Sequence, residues 1–242
     1  MPGAAPFRLG LAVVHALVGL AIVLCLFPFL ELAARRRRIR WWSAAMLRRL
    51  GIEHRVEGRL EEGAKLIVAN HVSWLDVLAL HALCPEARFV SKADVQRWPL
   101  VGRLVSAAET LYIERERKRD AMRVVHQIAQ ALREGQTVAA FPEGTTGDGV
   151  ALLPFHANLL QAAIVTGTPV QAVALRYADA RHAVSPAALW LGETTLVGSL
   201  WKIARAERLV VRVRVLAAEA SADAERRALA ARLRERIGNA WQ

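Results

Sequence analysis

The sequence predicts an α/β protein: a mixed, largely parallel sheet flanked by helices, preceded by an N-terminal membrane-anchoring helical segment. Three observations point there. From Ile52 onward, short β-like runs alternate with helical periods, the pattern of strands joined by crossover helices. Two polar loops, around His71 and around Glu143, each follow an apolar run, and chemistry in such sheets gathers where loops leave the carboxyl ends of strands. Before all of this, Leu9 to Leu32 is an apolar stretch with His15, Gly19, Pro28 and Glu31 among its few interruptions.

That stretch exceeds the roughly 20 apolar residues needed to cross a bilayer core. A secretory signal peptide has a shorter apolar region, and Arg35-Arg36-Arg37-Arg38 directly after it opposes translocation, so the segment reads as an uncleaved anchor. The arginines belong on the cytoplasmic side. The expected location is therefore the cell inner membrane, with the body of the protein facing the cytoplasm. Pro28 leaves open a re-entrant or interfacial helix in place of a full span. Ile39 to Leu50 places Trp41 and Trp42 among Arg40, Arg48 and Arg49; an interfacial helix and an amphipathic helix packed on the domain fit equally. Residues 1–50 thus form the anchor and interfacial helix, and 51–242 the expected catalytic domain.

Within that domain the β-like runs are Glu53–Val56, Leu66–Ala69, Arg88–Val90, Leu111–Ile113, Thr137–Phe141, Val170–Leu175 and Leu209–Val215. Helical periods fall at Val77–Leu83, Asp120–Arg133, Asn158–Val165 and Ala224–Ile237. The last has Leu229, Leu233, Ile237 and Trp241 at four-residue spacing, a stripe for packing onto the sheet.

Composition narrows the function. The 242 residues carry a formal net charge of +11 beside 54% hydrophobic residues. Nucleic-acid binders are often this basic but seldom carry a long apolar segment. An anionic membrane surface or anionic substrate accounts for both features. The two cysteines, Cys25 and Cys84, form no CxxC motif or Cys/His cluster, so neither a disulfide framework nor a metal site is expected.

The loop Asn70-His71-Val72-Ser73-Trp74-Leu75-Asp76 pairs a histidine with a carboxylate five positions later, a possible base and its orienter. On a regular helix five residues advance about 500°, which separates the side chains. To meet, His71 must sit in the strand-to-helix loop with Asp76 on the first helical turn. Phe141 to Gly149 follows another strand and holds three glycines, which let amide N–H groups converge on an anion. Glu143 there would repel a phosphate and is expected to orient a hydroxyl or a cation. Arg115, directly after an apolar run, can hold a phosphate through two hydrogen bonds.

Together these stretches resemble the glycerolipid acyltransferase family, the 1-acylglycerol-3-phosphate acyltransferases and their relatives, over roughly residues 50–180. Its N-H-x-x-x-x-D block is matched by Asn70, His71 and Asp76, and its F-P-E-G-T block by Phe141 to Thr145. Its G-x-x-F-I-x-R block is matched loosely by Tyr112, Ile113 and Arg115, with Glu109 where glycine is usual. An apolar run around Pro169 corresponds to a fourth block.

The resemblance implies transfer of a fatty acyl chain from acyl-ACP or acyl-CoA, with no other cofactor, to the hydroxyl of lysophosphatidic acid, giving phosphatidic acid. His71 would be the general base and Asp76 its partner. Asn70, Arg115, Glu143, Gly144 and Thr145 would form the acceptor site, with Lys92 and Arg119 as substitute cations. Ser73 leaves open a covalent intermediate. Thr145 to Gly149 and Leu153 to His156 look like the branch that acylates lyso-ornithine lipid, the alternative acceptor. A basic membrane-bound scaffold or nucleic-acid-binding protein is the non-enzymatic alternative, but its basic stretches lack interleaved aromatics.

Overall fold

In the computed structural model, which describes residues 4–98, 100–113 and 118–241, the β-like runs fold as seven strands. These are β1 (Glu53–Glu57), β2 (Leu66–Ala69), β3 (Arg88–Lys92), β4 (Leu111–Ile113), β5 (Val138–Ala140), β6 (Val170–Ala178) and β7 (Val210–Glu219). They form one sheet in the order β1-β7-β6-β2-β5-β3-β4. Every pairing is parallel except β6 with β7, so the sheet is mixed and largely parallel as expected. Central β2 is buried along its whole length, which is why Leu66-Ile67-Val68-Ala69 reads as a continuous apolar run. Edge strand β1, Glu-His-Arg-Val-Glu, is mostly exposed, and its charges protect the edge.

Helices cover both faces. On one side Leu47, Leu50, Leu75, Leu80 and Ile203 meet Ile67, Val173 and Val213 of the sheet. They bring in α2 (Leu32–Arg49), α3 (Leu75–Leu83) and α7 (Leu196–Arg205). On the other, Ile128, Leu132, Ala162, Leu229 and Leu233 pack on Val68, Ala140 and Ala172. These belong to α5 (Lys118–Arg133), α6 (Gln161–Thr166) and α8 (Arg226–Asn239), and α8 buries the stripe its sequence shows. The sequence did not reveal α4 (Val101–Ala107) or α7. Both are short and carry glycine inside, Gly102 and Gly198, which lowers helix propensity. Strands β6 and β7 also run beyond their apolar cores, because each gives the other's outer residues an antiparallel partner.

The N-terminal apolar stretch is half of a hairpin. Helix α1 (Ala4–Ala21) runs through a π-helical turn, Ile22–Leu26, and a 3₁₀ turn, Phe27–Phe29, before the chain returns as α2. Trp42 Nε1 donates to the His15 carbonyl, and His15 Nε2 lies 3.0 Å from the Trp42 carbonyl. Gly19 permits the approach: a Cβ there would lie 2.3 Å from Trp42 Nε1. The hairpin also rests on the sheet domain. Arg8 Nη1 donates to the carbonyls of Ala204 (3.0 Å) and Ala206 (3.2 Å) at the end of α7. Ala12, Met46, Leu47 and Leu50 join the core beneath α3.

Candidate active site

Because β2, β5 and β6 are parallel neighbours, the chain leaves β2 and β5 side by side at one edge of the sheet. Asn70, just past β2, holds that edge together. Its Nδ2 donates to the Leu175 carbonyl (2.9 Å), and its Oδ1 accepts the Leu175 N–H (2.7 Å). The side chain thus continues the β2–β6 ladder for one residue while the backbone turns away to His71. Asn70 is buried, and its polar atoms face β6.

The turn lets His71 and Asp76 meet as the loop-and-first-turn geometry requires. Asp76 lies on the first turn of α3, fully buried. His71 Nδ1 is 2.8 Å from its Oδ2. The same oxygen accepts the N–H of Val72 (2.7 Å) and of Ser73 (2.9 Å), and Oδ1 accepts the Tyr177 hydroxyl (2.7 Å). Four donors converge on one carboxylate, so Asp76 accepts throughout and the proton of the pair sits on His71 Nδ1. Nε2 then keeps its lone pair for an incoming proton. The imidazole stacks on Phe141, centroids 4.1 Å apart and planes 12° from parallel. One nitrogen and one ring face are therefore fixed.

The Phe141 to Gly149 loop grips the same histidine through its backbone. Glu143 Oε1 accepts the His71 N–H (2.7 Å), and Oε2 accepts the Leu153 N–H (2.8 Å). The Gly147 N–H donates to the His71 carbonyl (2.8 Å). Glu143 is buried. Burial pushes its carboxyl above the usual carboxylate range, and the two amide bonds pull it back down. Expected at the acceptor, Glu143 spends both oxygens on backbone donors and holds the two loops together. Gly144 turns the loop with φ 73°, a left-handed conformation that favours glycine, and Thr145 is exposed.

Arg115 lies outside the described residues, as does the side chain of Arg119. Lys92 ends β3, exposed at the edge. Glu109, standing where the family's block has glycine, has φ 56°, so the backbone there retains the glycine geometry. Glu109 lines a cleft together with Arg35 and Arg36 of α2. The Ser73 hydroxyl is buried with no hydrogen-bond partner among the described residues. No base is bonded to it, so the covalent route lacks its activating contact.

Sequence reasoning missed Tyr177. Burial, and next the Asp76 charge, hold its hydroxyl well above the usual phenol range, so it remains a donor. A signal was present: Val173, Leu175 and Tyr177 alternate onto one buried face of β6, and a hydroxyl on an apolar face needs a partner. Trp190 was missed too. Its N–H donates to the Val72 carbonyl (3.1 Å), and its own carbonyl accepts the Thr146 hydroxyl, so one residue straps both loops.

Residues 51–176, more than half of the chain, match the Acyltransferase family. The chain belongs to the acyltransferase family. It is 38% identical over 204 residues to the lyso-ornithine lipid O-acyltransferase of Pseudomonas aeruginosa, covering 84% of this chain and 78% of that one. It is also 38% identical over 175 residues to the 1-acyl-sn-glycerol-3-phosphate acyltransferase of Neisseria meningitidis serogroup B, covering 71% and 67%. Its fold is similar to that of the 1-acyl-sn-glycerophosphate (LPA) acyltransferase PlsC from Thermotoga maritima, with TM-score 0.70 and 18% identity over 97% of this chain and 94% of that one. This acyltransferase is a lysolipid or glycerolipid acyltransferase, and the His71 and Glu143 loops lie inside the matched segment.

Proposed function

We propose that the enzyme transfers an acyl chain from acyl-ACP or acyl-CoA directly to a lysolipid hydroxyl, with His71 as general base. The observation that carries this is the His71 Nδ1–Asp76 contact of 2.8 Å, which leaves Nε2 as the basic nitrogen. As the acceptor oxygen attacks the thioester carbonyl, its proton passes to Nε2, and Asp76 stabilises the resulting imidazolium. Collapse of the tetrahedral adduct breaks the C–S bond, and the proton on Nε2 leaves with the thiolate. Acceptor oxygen and acyl carbon form the new ester, so no acyl-enzyme is required.

Two acceptors share the required chemistry, a free hydroxyl beside an acyl chain. Lyso-ornithine lipid is placed first. The relative spanning 93% of this chain, from Brucella abortus, is a lyso-ornithine lipid O-acyltransferase, as is the Pseudomonas relative. Phe141 to His156 also contains no lysine or arginine, which suits a zwitterionic headgroup better than a phosphate dianion. Lysophosphatidic acid, the acceptor of the Neisseria relative's name, is second; Arg115 and Lys92 would hold its phosphate. The N-terminal hairpin would seat the enzyme on the cytoplasmic face of an anionic inner membrane.

Membranes given labelled acyl donor and each lysolipid in turn will show which ester forms. His71→Ala should lower turnover by about 10² to 10⁴ while leaving the fold intact, since that is the worth of a general base. A folded His71→Ala protein that keeps substantial activity would remove His71 from the chemistry.

A further inference from the structure

Helix α7 presents apolar side chains in two directions. Inward, Ile203 and Ala204 are buried with Ser199. Outward, Val197 and Trp201, four residues apart and so on one stripe, are 78% and 45% exposed, and Leu191 just before the helix is 40% exposed. Val197 and Trp201 have no role in the core. Lys202 and Arg205 border the stripe and are exposed, with the Arg205 guanidinium 5.9 Å from the Trp201 ring; the exposed acids nearest in sequence are Glu193 and Glu207, and Glu207 pairs with Arg181 at 3.7 Å.

The stripe does not stand alone. Helix α1 packs on α7, and the Arg8 bonds fix its first turns to the end of that helix. On α1, Phe7, Leu11, Val14 and Val18 recur at helical spacing and are also exposed. An apolar stripe with a tryptophan and a basic fringe, continuous with a helix apolar enough to enter a bilayer, has the composition of an interfacial element on an anionic membrane.

Its position relative to the chemistry is direct. Trp74, in the catalytic loop, donates from Nε1 to the Ser199 hydroxyl on the inner side of α7 (3.0 Å). Trp190, six residues before α7, bonds both the Val72 carbonyl and Thr146. The segment from Trp190 to Trp201 therefore spans from the catalytic loops to the exposed stripe.

We propose that the outer stripe of α7, with Leu191, is a second lipid-contacting surface of the enzyme, occupied by the anionic bilayer that carries the acceptor. The surface lies beside the His71 loop, so it brings the membrane to the active-site edge where the hairpin alone would only tether the protein. This rests on the lysolipid acyltransferase reading for its activity arm and on lipid contact alone for its binding arm.

The test uses the full-length protein with Cys25→Ser, Cys84 being buried. A bimane label is placed at Val197→Cys or, as a control on the opposite helical layer, at the exposed Ala228→Cys of α8. Vesicles contain zwitterionic and anionic phospholipid with or without lipids bearing a doxyl group high on the acyl chain. The label at 197 should shift to the blue and lose at least half its emission to the doxyl lipid, while the label at 228 stays unchanged. Emission at 197 that ignores the doxyl lipid overturns the proposal. In parallel, Val197→Asp, at a position too exposed to be needed for folding, should lower acyl transfer to a vesicle-embedded lysolipid about tenfold or more. Transfer to a short-chain, water-soluble lysolipid should stay within about twofold of wild type. Equal loss on both acceptors, or none on vesicles, overturns the proposal. If wild type acylates no lysolipid, the functional reading fails while the quenching result still decides the surface.

Discussion

At the residue scale the centre of the site is the Asp76 carboxylate and the four donors aimed at it. Each donor fixes the carboxylate's position, so the set holds Asp76 Oδ2 against His71 Nδ1. Tyr177→Phe removes one donor and keeps the buried ring. The carboxylate then loses one of the contacts that hold it against His71 Nδ1. With about 1 kcal/mol per hydrogen bond, kcat at neutral pH should fall roughly fivefold with acceptor KM unchanged. A Tyr177→Phe enzyme with unchanged kcat would make Tyr177 only a packing residue. Glu143→Gln is a different kind of lesion. An amide keeps one acceptor and turns an NH₂ toward a backbone donor, so the His71 or Leu153 N–H is left unpaired. Stability should drop by about 1 to 3 kcal/mol, read as a lower melting temperature, together with kcat. A changed acceptor KM at unchanged stability would mean that Glu143 holds substrate instead of the loops.

At the scale of elements, α3 links the candidate site to acid stability. Its last turn carries His81, buried and edge-on to Phe89. Burial holds its imidazole down to about 4 against an ordinary 6.5. The unfolded chain therefore binds a proton that the folded chain refuses between those values. Stability is full above about pH 6.5 and declines as pH falls toward 4, by about 3 kcal/mol in total. Denaturant titrations across that range should show the decline, and His81→Leu should flatten it. The same helix shows what was legible in the sequence. His71 in the loop and Asp76 on the first turn follow from a strand-like run, a five-residue interval and helical periodicity, all local features. The donors that complete the site are not local. Tyr177 lies 101 positions from Asp76 and Leu175 lies 105 from Asn70, and no spacing rule connects them before the β2–β6 register is known. Glu143 illustrates the converse: its place in the site could be read from the motif, but its two backbone partners exist only once the loops have folded against each other. Helix α7 escaped because Gly198 and Ser199 break its propensity and its outer stripe has no core to face.

For the whole molecule, the question is how a chain with one bilayer-length apolar stretch among the described residues would meet a membrane. Composition alone allows a span, since 18 helical residues rise about 27 Å. The packing favours another arrangement. Helix α1 is tied to the sheet domain at its start by Arg8, packs on α4 and α7, and pairs with Trp42 of α2 through His15. Its turn, where Phe29 is 86% exposed, leads straight back into α2. A helix held at its start and along its length against a polar domain cannot leave that domain to cross a bilayer without losing these contacts. The hairpin should instead lie within one leaflet, apolar stripe inward, with both chain directions on the cytoplasmic side. A cysteine introduced at Pro2 in the Cys25→Ser background distinguishes the two. A membrane-impermeant thiol reagent should label it in inside-out vesicles as readily as a cysteine at Ala228, and should leave both unlabelled in intact spheroplasts. Labelling at Pro2 from the outer face of spheroplasts would show that α1 crosses. Gly19→Leu provides the matching lesion: with a side chain where Trp42 Nε1 stands, the hairpin must open. The variant should then sediment less with vesicles while the His71 loop, 52 positions away and anchored through β2 and β6, keeps its activity on a water-soluble lysolipid.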